Sequence, residues 1–454
     1  MAQTPCEQLR TLALPDTRIT AAEAVPGHCR VAAVVTPTAD SHIEMEVWMP
    51  LTKWNGKFQA VGNGGWAGSI SRPAMAAALG EGYATASTDA GHKSSETPGG
   101  SFALGHPERL VDYGYRAVHE MTAKAKAIIA AFYGQAPRFS YWNSCSNGGR
   151  QALMEAQRYP EDYDGMVAGA PAANWSGRAL QSLWVAQAVH RDEASFIPPA
   201  KYPAIHQAVL AACDAADGVE DGVLEDPTRC DFDPAVLRCQ GADGPSCLTA
   251  AQVETARKIY ENHGAYPGLA PGSELGWATY GSVKPFAIGE DHFKYVVTGN
   301  PAWEYRALDF SNVARYRNPT VDALDTNLKP FFARGGKLIQ YHGWSDPQIP
   351  PLHSVDYYRS VVEAMGNVDD SYRLFMVPGM QHCGGGEGPN QFNALAALER
   401  WREAGAPPGE IVAAHVTNNR VDRTRPLCPY PQIARYKGVG STNDAANFAC
   451  VARP

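Results

Sequence analysis

The chain has 454 residues and a formal charge of −8, with 44% hydrophobic and 19% charged residues. That length exceeds one small core, and the composition excludes a disordered chain. The acidic balance, with no run of basic residues, excludes nucleic acid and anionic membrane as expected partners. No stretch of about 18 apolar residues occurs, so no membrane-spanning helix is expected.

The opening residues Met1-Ala2-Gln3-Thr4-Pro5-Cys6 hold neither a basic nor an apolar segment, so the sequence as it stands shows no signal peptide. The cysteines point the other way. Cys6, Cys29, Cys145, Cys213, Cys230, Cys239, Cys247, Cys383, Cys428 and Cys450 form an even set, mostly in close sequential pairs, without C-x-x-C spacing. Such a set is expected where thiols are oxidised, and it does not read as zinc ligands. The expectation is a periplasmic or extracellular protein whose leader was removed and replaced by Met1.

Along the chain, Ile43–Met49 alternates as a half-buried strand, and Lys57–Val61 leads into the glycine-rich turn Gly62–Gly68. Tyr83–Thr88 reads as a strand, Tyr115–Phe132 as an alanine-rich helix, Phe139–Asn143 as a strand and Gly149–Arg158 as a helix. Met166-Val167-Ala168 continues the series. This alternation predicts a mostly parallel sheet with helices on both faces. From about Asn174 to Asn327 the rhythm changes: the stretch is rich in Pro, Gly and Trp, carries four cysteines and shows little regular alternation. Strands then resume at Lys337–Tyr341 and Tyr372–Val377, with a helix over Gln391–Arg402. The reading is α/β, one α/β domain (1–174 and 328–454) interrupted by a large inserted lid domain (175–327).

Asn143-Ser144-Cys145-Ser146-Asn147-Gly148-Gly149 lies between a predicted strand and a predicted helix. A sharp strand-to-helix turn is where an α/β-hydrolase domain exposes a nucleophilic serine, usually as G-x-S-x-G; here Ser144 replaces the first glycine. Taken alone the string also reads as a helix cap with glycines for close packing. Two later loops, each after a strand, hold Asp346 (His342-Gly343-Trp344-Ser345-Asp346) and His382 (Met380-Gln381-His382-Cys383). The order Ser, Asp, His is that of α/β-hydrolases. Ser146 is therefore the expected nucleophile, His382 its base and Asp346 the acid that orients the imidazole. His92 precedes the serine and is expected to buttress a loop. His342 sits at a strand end, where a structural hydrogen bond is the commoner role, and Asp325 precedes its strand. Cys145 and Cys383 flank the proposed nucleophile and base. If they pair, one bridge ties the two loops together.

Oxyanion donors are expected at the backbone N–H of Asn147, the residue after the serine, and in the Gly64-Gly65-Trp66 turn, where position favours Gly65. Asp214, Asp217 and Asp221, among glycines that allow sharp turns, can surround a hard cation with oxygen, although the spacing is not that of an EF-hand. The plainer reading is an acidic solvated loop. Aromatic residues beyond Asn174 offer a flat apolar slot for a substrate; Trp277 and Tyr295 are the preferred pair.

Together, Cys145-Ser146-Asn147-Gly148-Gly149, Asp346, His382-Cys383, Ser87–His92 and the cysteine-rich insert resemble the tannase and feruloyl esterase family over almost the whole chain. The resemblance implies hydrolysis of aromatic-acid esters, a lid with a structural Ca2+ and no organic cofactor. It places the calcium ligands on the side chains of Asp214, Asp217 and Asp221 and the carbonyls of Val219 and Val223. It also implies the bridges Cys145–Cys383, Cys6–Cys29, Cys213–Cys230, Cys239–Cys247 and Cys428–Cys450. A small aromatic ester is the expected partner, feruloyl-type first, with gallate esters (tannase) and terephthalate monoesters as alternatives. The family's terephthalate half-ester hydrolase uses a lid arginine. Gly289–Lys294 has acids, a His and Lys294 but no Arg, which lowers that option. A reading from a different class is a catalytically inactive ligand-binding scaffold.

Overall fold

A computed structural model describes residues 3–262 and 266–453. Met1, on which the leader reading falls, lies outside the described residues. The chain divides into two compact units. One comprises Met1–Ala173, Lys294–Pro301 and Asn318–Leu338; the other comprises Asn174–Phe293, Ala302–Arg317 and Ile339–Pro454.

In the first unit, β1 (Thr17–Val25) and β2 (His28–Val35) form a hairpin turning at Gly27, and β3 (Ile43–Pro50) pairs antiparallel with β2. β4 (Lys57–Ala60), β5 (Ala84–Thr88), β6 (Phe139–Cys145) and β7 (Gly165–Gly169) follow, in the sheet order β1-β2-β3-β5-β4-β6-β7. Pairing is antiparallel as far as β5 and parallel from β5 to β7. β5 and β7 are buried at every residue, so both faces of these strands are covered. Helices α1 (Arg72–Gly80), α2 (Ala117–Tyr133) and α3 (Asn147–Arg158) pack on these strands. α2 ends at Gly134, whose left-handed φ of 71° closes the helix. It begins after a π-helical turn, Asp112–Arg116, that the periodicity does not reveal.

The division falls inside β8 (Lys337–Gly343), the sheet neighbour of β9 (Tyr372–Val377). The second unit contains α4 (Trp175–Val189), α5 (Tyr202–Cys213) and α6 (Ala250–Tyr260), the last opened by a reciprocal cap between Thr249 and Gln252. Val185, Ile205, Val253, Ile259, Trp277 and Tyr280 lie in their common core. These helices occupy the stretch where the sequence shows little alternation. α4 is buried on nearly every side, so it carries no single apolar stripe. Helices α7 (Leu352–Met365) and α8 (Ala394–Ala404) follow, then two antiparallel hairpins: β10 (Ile411–Thr417) with β11 (Arg420–Leu427), and β12 (Ile433–Tyr436) with β13 (Phe448–Val451).

Disulfides join Cys6 to Cys29, Cys213 to Cys230, Cys239 to Cys247 and Cys428 to Cys450. Cys145 and Cys383 are each disulfide-bonded as well. Among the described residues no helix is long and apolar enough to cross a membrane.

Candidate active site

β6 ends at Cys145 and α3 starts at Asn147, so Ser146 alone makes the turn. Its backbone is at φ 66°, ψ −123°, a conformation that costs an L-residue energy and persists only when its surroundings enforce it. The surroundings are backbone groups. The Ser146 N–H donates to the Gly169 carbonyl at 2.9 Å, and the Ser146 carbonyl accepts from the N–H groups of Arg150 and Ala172, both at 3.1 Å. A Cβ at Gly148 would lie 2.0 Å from Ser144 Oγ, and one at Gly149 would lie 2.3 Å from the Gly169 carbonyl oxygen. Close approach therefore demands glycine after the serine, while the position two before it accommodates Ser144.

The glycine-rich turn after β4 lies against the first turn of α3. The Asn63 N–H donates to Gln151 Oε1 at 3.1 Å, and Gln151 Nε2 donates to Asn63 Oδ1 at 3.0 Å. A Cβ at Gly62 would lie 2.8 Å from the Gly148 Cα. Gly65 has φ 49° and is partly exposed, and Asn147 is buried at the start of α3, where free N–H groups and the helix dipole favour negative charge. His92 is buried beside this turn, its Nε2 donating to the Trp66 carbonyl at 2.8 Å.

In the second unit, the loops after β8 and β9 are laced together by backbone bonds. The Trp344 N–H donates to the Val377 carbonyl at 2.9 Å and the Ser345 N–H to the Met380 carbonyl at 3.0 Å. A Cβ at Gly343 would lie 2.1 Å from the Met380 carbonyl oxygen. This lacing brings Asp346 and His382 together: Nδ1 of His382 donates to Asp346 Oδ2 at 2.7 Å. That bond fixes the tautomer and leaves Nε2 as the basic nitrogen. Asp346 is fully buried. Its Oδ1 accepts from the N–H groups of Gln348 (2.7 Å) and Ile349 (3.0 Å), and its Oδ2 also accepts from His342 Nε2 at 3.1 Å. Burial alone would raise this carboxyl. The charge of His382 and the hydrogen bonds from His342 and His382 outweigh it and hold the group well below the usual carboxylate range. Sequence reading gave His342 a strand-end role; its shared grip on the same carboxylate oxygen is visible only in the fold.

The acidic loop, also in the second unit, turns at Gly218 (φ 94°) and Gly222 (φ 79°). The Gly222 N–H donates to Asp214 Oδ2 at 2.8 Å, and Asp217 accepts from the N–H groups of Val219 (2.9 Å) and Glu225 (3.3 Å). Asp221 is paired with Arg425, and its carbonyl accepts from Arg423 at 2.9 Å. Asp217, Val219, Asp221, Val223 and Glu225 line one small cavity with Arg425, Ala434 and Phe448. Burial, helped by the charges of Asp221 and Asp214, pushes the Asp217 carboxyl up to about 6. Burial likewise pushes Glu225, a residue the sequence did not single out, up to about 8. Asp214 Oδ1 is buried without a hydrogen-bond partner. Buried acids short of counter-charge, with an orphaned carboxylate oxygen, are the donor set a hard cation takes, although Arg423 and Arg425 already offset part of the charge.

Trp277 lies in the core of the second unit, fully buried; its Nε1 donates to Ser273 Oγ at 3.1 Å and its ring meets Tyr260 edge-on. Tyr295 is half-buried and belongs to the first unit.

Comparison with known proteins sets the class. The sequence profile described as "Tannase and feruloyl esterase" matches residues 29–300 and 301–451. An uncharacterised esterase of Xanthomonas campestris pv. campestris is 38% identical, over 100% of this chain and 92% of the relative. A probable feruloyl esterase B-1 of Aspergillus oryzae is 35% identical, over 93% of this chain and 84% of the relative. The crystal structure of feruloyl esterase B from Aspergillus oryzae superposes with a TM-score of 0.91 at 31% identity, covering 98% of this chain and 99% of that one. Tannin acyl hydrolase from Aspergillus niger shares the fold, with a TM-score of 0.81 at 22% identity over 100% of this chain and 94% of that one. The protein is thus a carboxylic ester hydrolase with an α/β-hydrolase fold. It belongs to the tannase and feruloyl esterase family.

Proposed function

We propose that the protein is a secreted serine esterase that hydrolyses esters of aromatic, feruloyl-type acids, with Ser146, His382 and Asp346 as its triad. The observation that carries the mechanism is the strained one-residue turn at Ser146, a conformation kept where function requires the side chain to stand clear of strand and helix. Ser146 Oγ attacks the ester carbonyl as His382 Nε2 takes its proton, and Asp346 holds Nδ1 and stabilises the imidazolium. The N–H groups of Asn147 and Gly65 receive the oxyanion. His382 returns the proton to the leaving alcohol, and water hydrolyses the acyl-enzyme by the same steps in reverse.

The acid is assigned from relatives named feruloyl esterase at 35% identity, with tannase-type gallate esters second. The arginine-free segment Gly289–Lys294 disfavours a terephthalate monoester. A Cys145–Cys383 bridge is part of this reading: both cysteines are oxidised, and the other eight are paired among themselves. The set of bridges supports an extracellular or periplasmic site of action. Asp214, Asp217 and Asp221 with the carbonyls of Val219 and Val223 would hold Ca2+. When bound, it supplies counter-charge to a buried acidic loop, and no step of the ester chemistry requires it.

Initial rates on methyl ferulate, methyl gallate and a terephthalate monoester, for the parent and Ser146→Ala, test the proposal. Turnover of the ferulate that Ser146→Ala abolishes is the expected result. Turnover of gallate without ferulate overturns the substrate, and turnover surviving Ser146→Ala overturns the mechanism.

A further inference from the structure

Arg150 sits on α3, four residues after Ser146, and is completely buried. A buried guanidinium is costly unless its donors are placed, and the placement here is specific. Nε donates to Asn147 Oδ1 at 2.6 Å. Nη1 donates to the Gly114 carbonyl at 2.9 Å and Nη2 to the Tyr113 carbonyl at 3.2 Å. Those two carbonyls belong to the π-helical turn Asp112–Arg116, a winding frequent at functional sites. Tyr113 on this turn is itself fully buried, with the Arg150 guanidinium 5.1 Å from its ring centre. The Tyr113 hydroxyl donates to the Gly65 carbonyl at 2.6 Å. The neighbouring Trp66 carbonyl is held from His92 at 2.8 Å. A continuous chain therefore runs from Asn147 through Arg150 and Tyr113 to Gly65, the two residues whose N–H groups receive the oxyanion in the proposed reaction.

We propose that Tyr113 and Arg150 are positioning residues that hold the Asn147 and Gly65 N–H groups in one fixed register for the developing oxyanion. The inference rests on the serine-esterase reading above. The fork of a guanidinium can engage the α3 side chain and the π-turn carbonyls at once, which a lysine cannot do. The phenol then extends the clamp to the glycine turn at Gly65, beyond the point where the Asn63 side chain ties that turn to Gln151. Neither residue touches the substrate. Their effect is preorganisation, whose value lies in donors that need not move when charge appears.

The test is Tyr113→Phe, which removes one oxygen and keeps the ring. The control is Tyr115→Phe, a nearby tyrosine whose ring packs on Arg158. Rates on methyl ferulate and on the matching thionoester are compared, because sulfur accepts hydrogen bonds poorly and gains less from the donors. The expected result for Tyr113→Phe is a fall in kcat of about 10- to 100-fold on the oxoester, below the loss for deleting a direct donor. KM should change little, the oxoester-to-thionoester rate ratio should fall, and the control should match the parent. Arg150→Lys, checked for folding by circular dichroism, should lower the same ratio. Parental kcat in Tyr113→Phe overturns the inference, as does an equal loss on both esters or a rise in KM alone, because a merely structural role gives those patterns. A parent that turns over neither ester overturns the esterase reading and this inference with it, whereas an active parent with an unaffected Tyr113→Phe overturns this inference alone.

Discussion

The nucleophile turn, residues 143–149, and the acidic loop, residues 214–226, are held by opposite means. The turn is fixed mainly by backbone bonds to Gly169 and Ala172 and by glycines that admit no Cβ. The loop is built from buried carboxyls whose charged forms are disfavoured, with two arginines as partial compensation. A turn made of sterics and backbone bonds answers to atoms added or removed, whereas a loop made of buried charge answers to pH and cations. The catalytic acid–base pair combines both devices: N–H groups and His342 orient Asp346, and His382 supplies the countercharge.

That contrast gives predictions of decreasing size. Ser146→Ala should lower kcat/KM by about 10^4-fold or more on any ester the enzyme accepts, measured by initial rates. Asp346→Asn should cost about 10^4-fold, since it loses the charge and the tautomer control while keeping the shape; a loss below tenfold would give the orienting role to another group. Gly149→Ala should destabilise the protein by about 1–3 kcal/mol in denaturant melts, because the clash is with the Gly169 backbone and cannot be relieved by a rotamer. The same variant should be no more sensitive to chelator than the parent.

The acidic loop should behave in the reverse way. Chelation by EGTA should lower the melting temperature, with initial rates nearly intact below it; a ligand at a hundredfold excess over Kd contributes about 2.7 kcal/mol. Immediate loss of rate without unfolding would make the metal part of the chemistry. Outside the loop, Asp89 gives the smallest effect. Burial, with the Glu44 charge adding, raises its carboxyl to about 8 against the N–H bonds from Gly91 and Glu44. A pKa raised in the folded state gives stability that is complete below the unfolded value near 4 and is lost as pH climbs through about 8. Asp89→Asn should therefore raise the melting temperature by a few degrees at pH 9 and change it little at pH 4, read by calorimetry. An unchanged pH profile would contradict the burial argument.

Much of this was legible in the sequence for physical reasons. A strand buried on both faces reads as a short apolar run, so Met166–Ala168 announced β7, whereas Tyr83–Thr88, the segment of β5, is half Thr and Ser. The catalytic loops follow strands, and the glycines after Ser146 carry a steric requirement visible as composition. Other parts were silent. Thr17–Val25 and the C-terminal hairpins passed unnoticed, and α4 offered no stripe because it is covered nearly all round. Arg150 reads in sequence as one more charge on a helix. Its burial, and its hold on the Tyr113 turn, depend on a π-helical turn in a different segment. His342 was legible as a histidine near Asp346 but not as a donor to the same oxygen, since i and i+4 spacing along a strand and loop does not define a contact.

The most direct test of the central claim is covalent labelling of the intact protein with a fluorophosphonate, read by mass spectrometry of its peptides. The account predicts one adduct, on Ser146, formed at a rate that Asp346→Asn sharply reduces. No adduct, or an adduct on another serine with Ser146 unmodified, would contradict it.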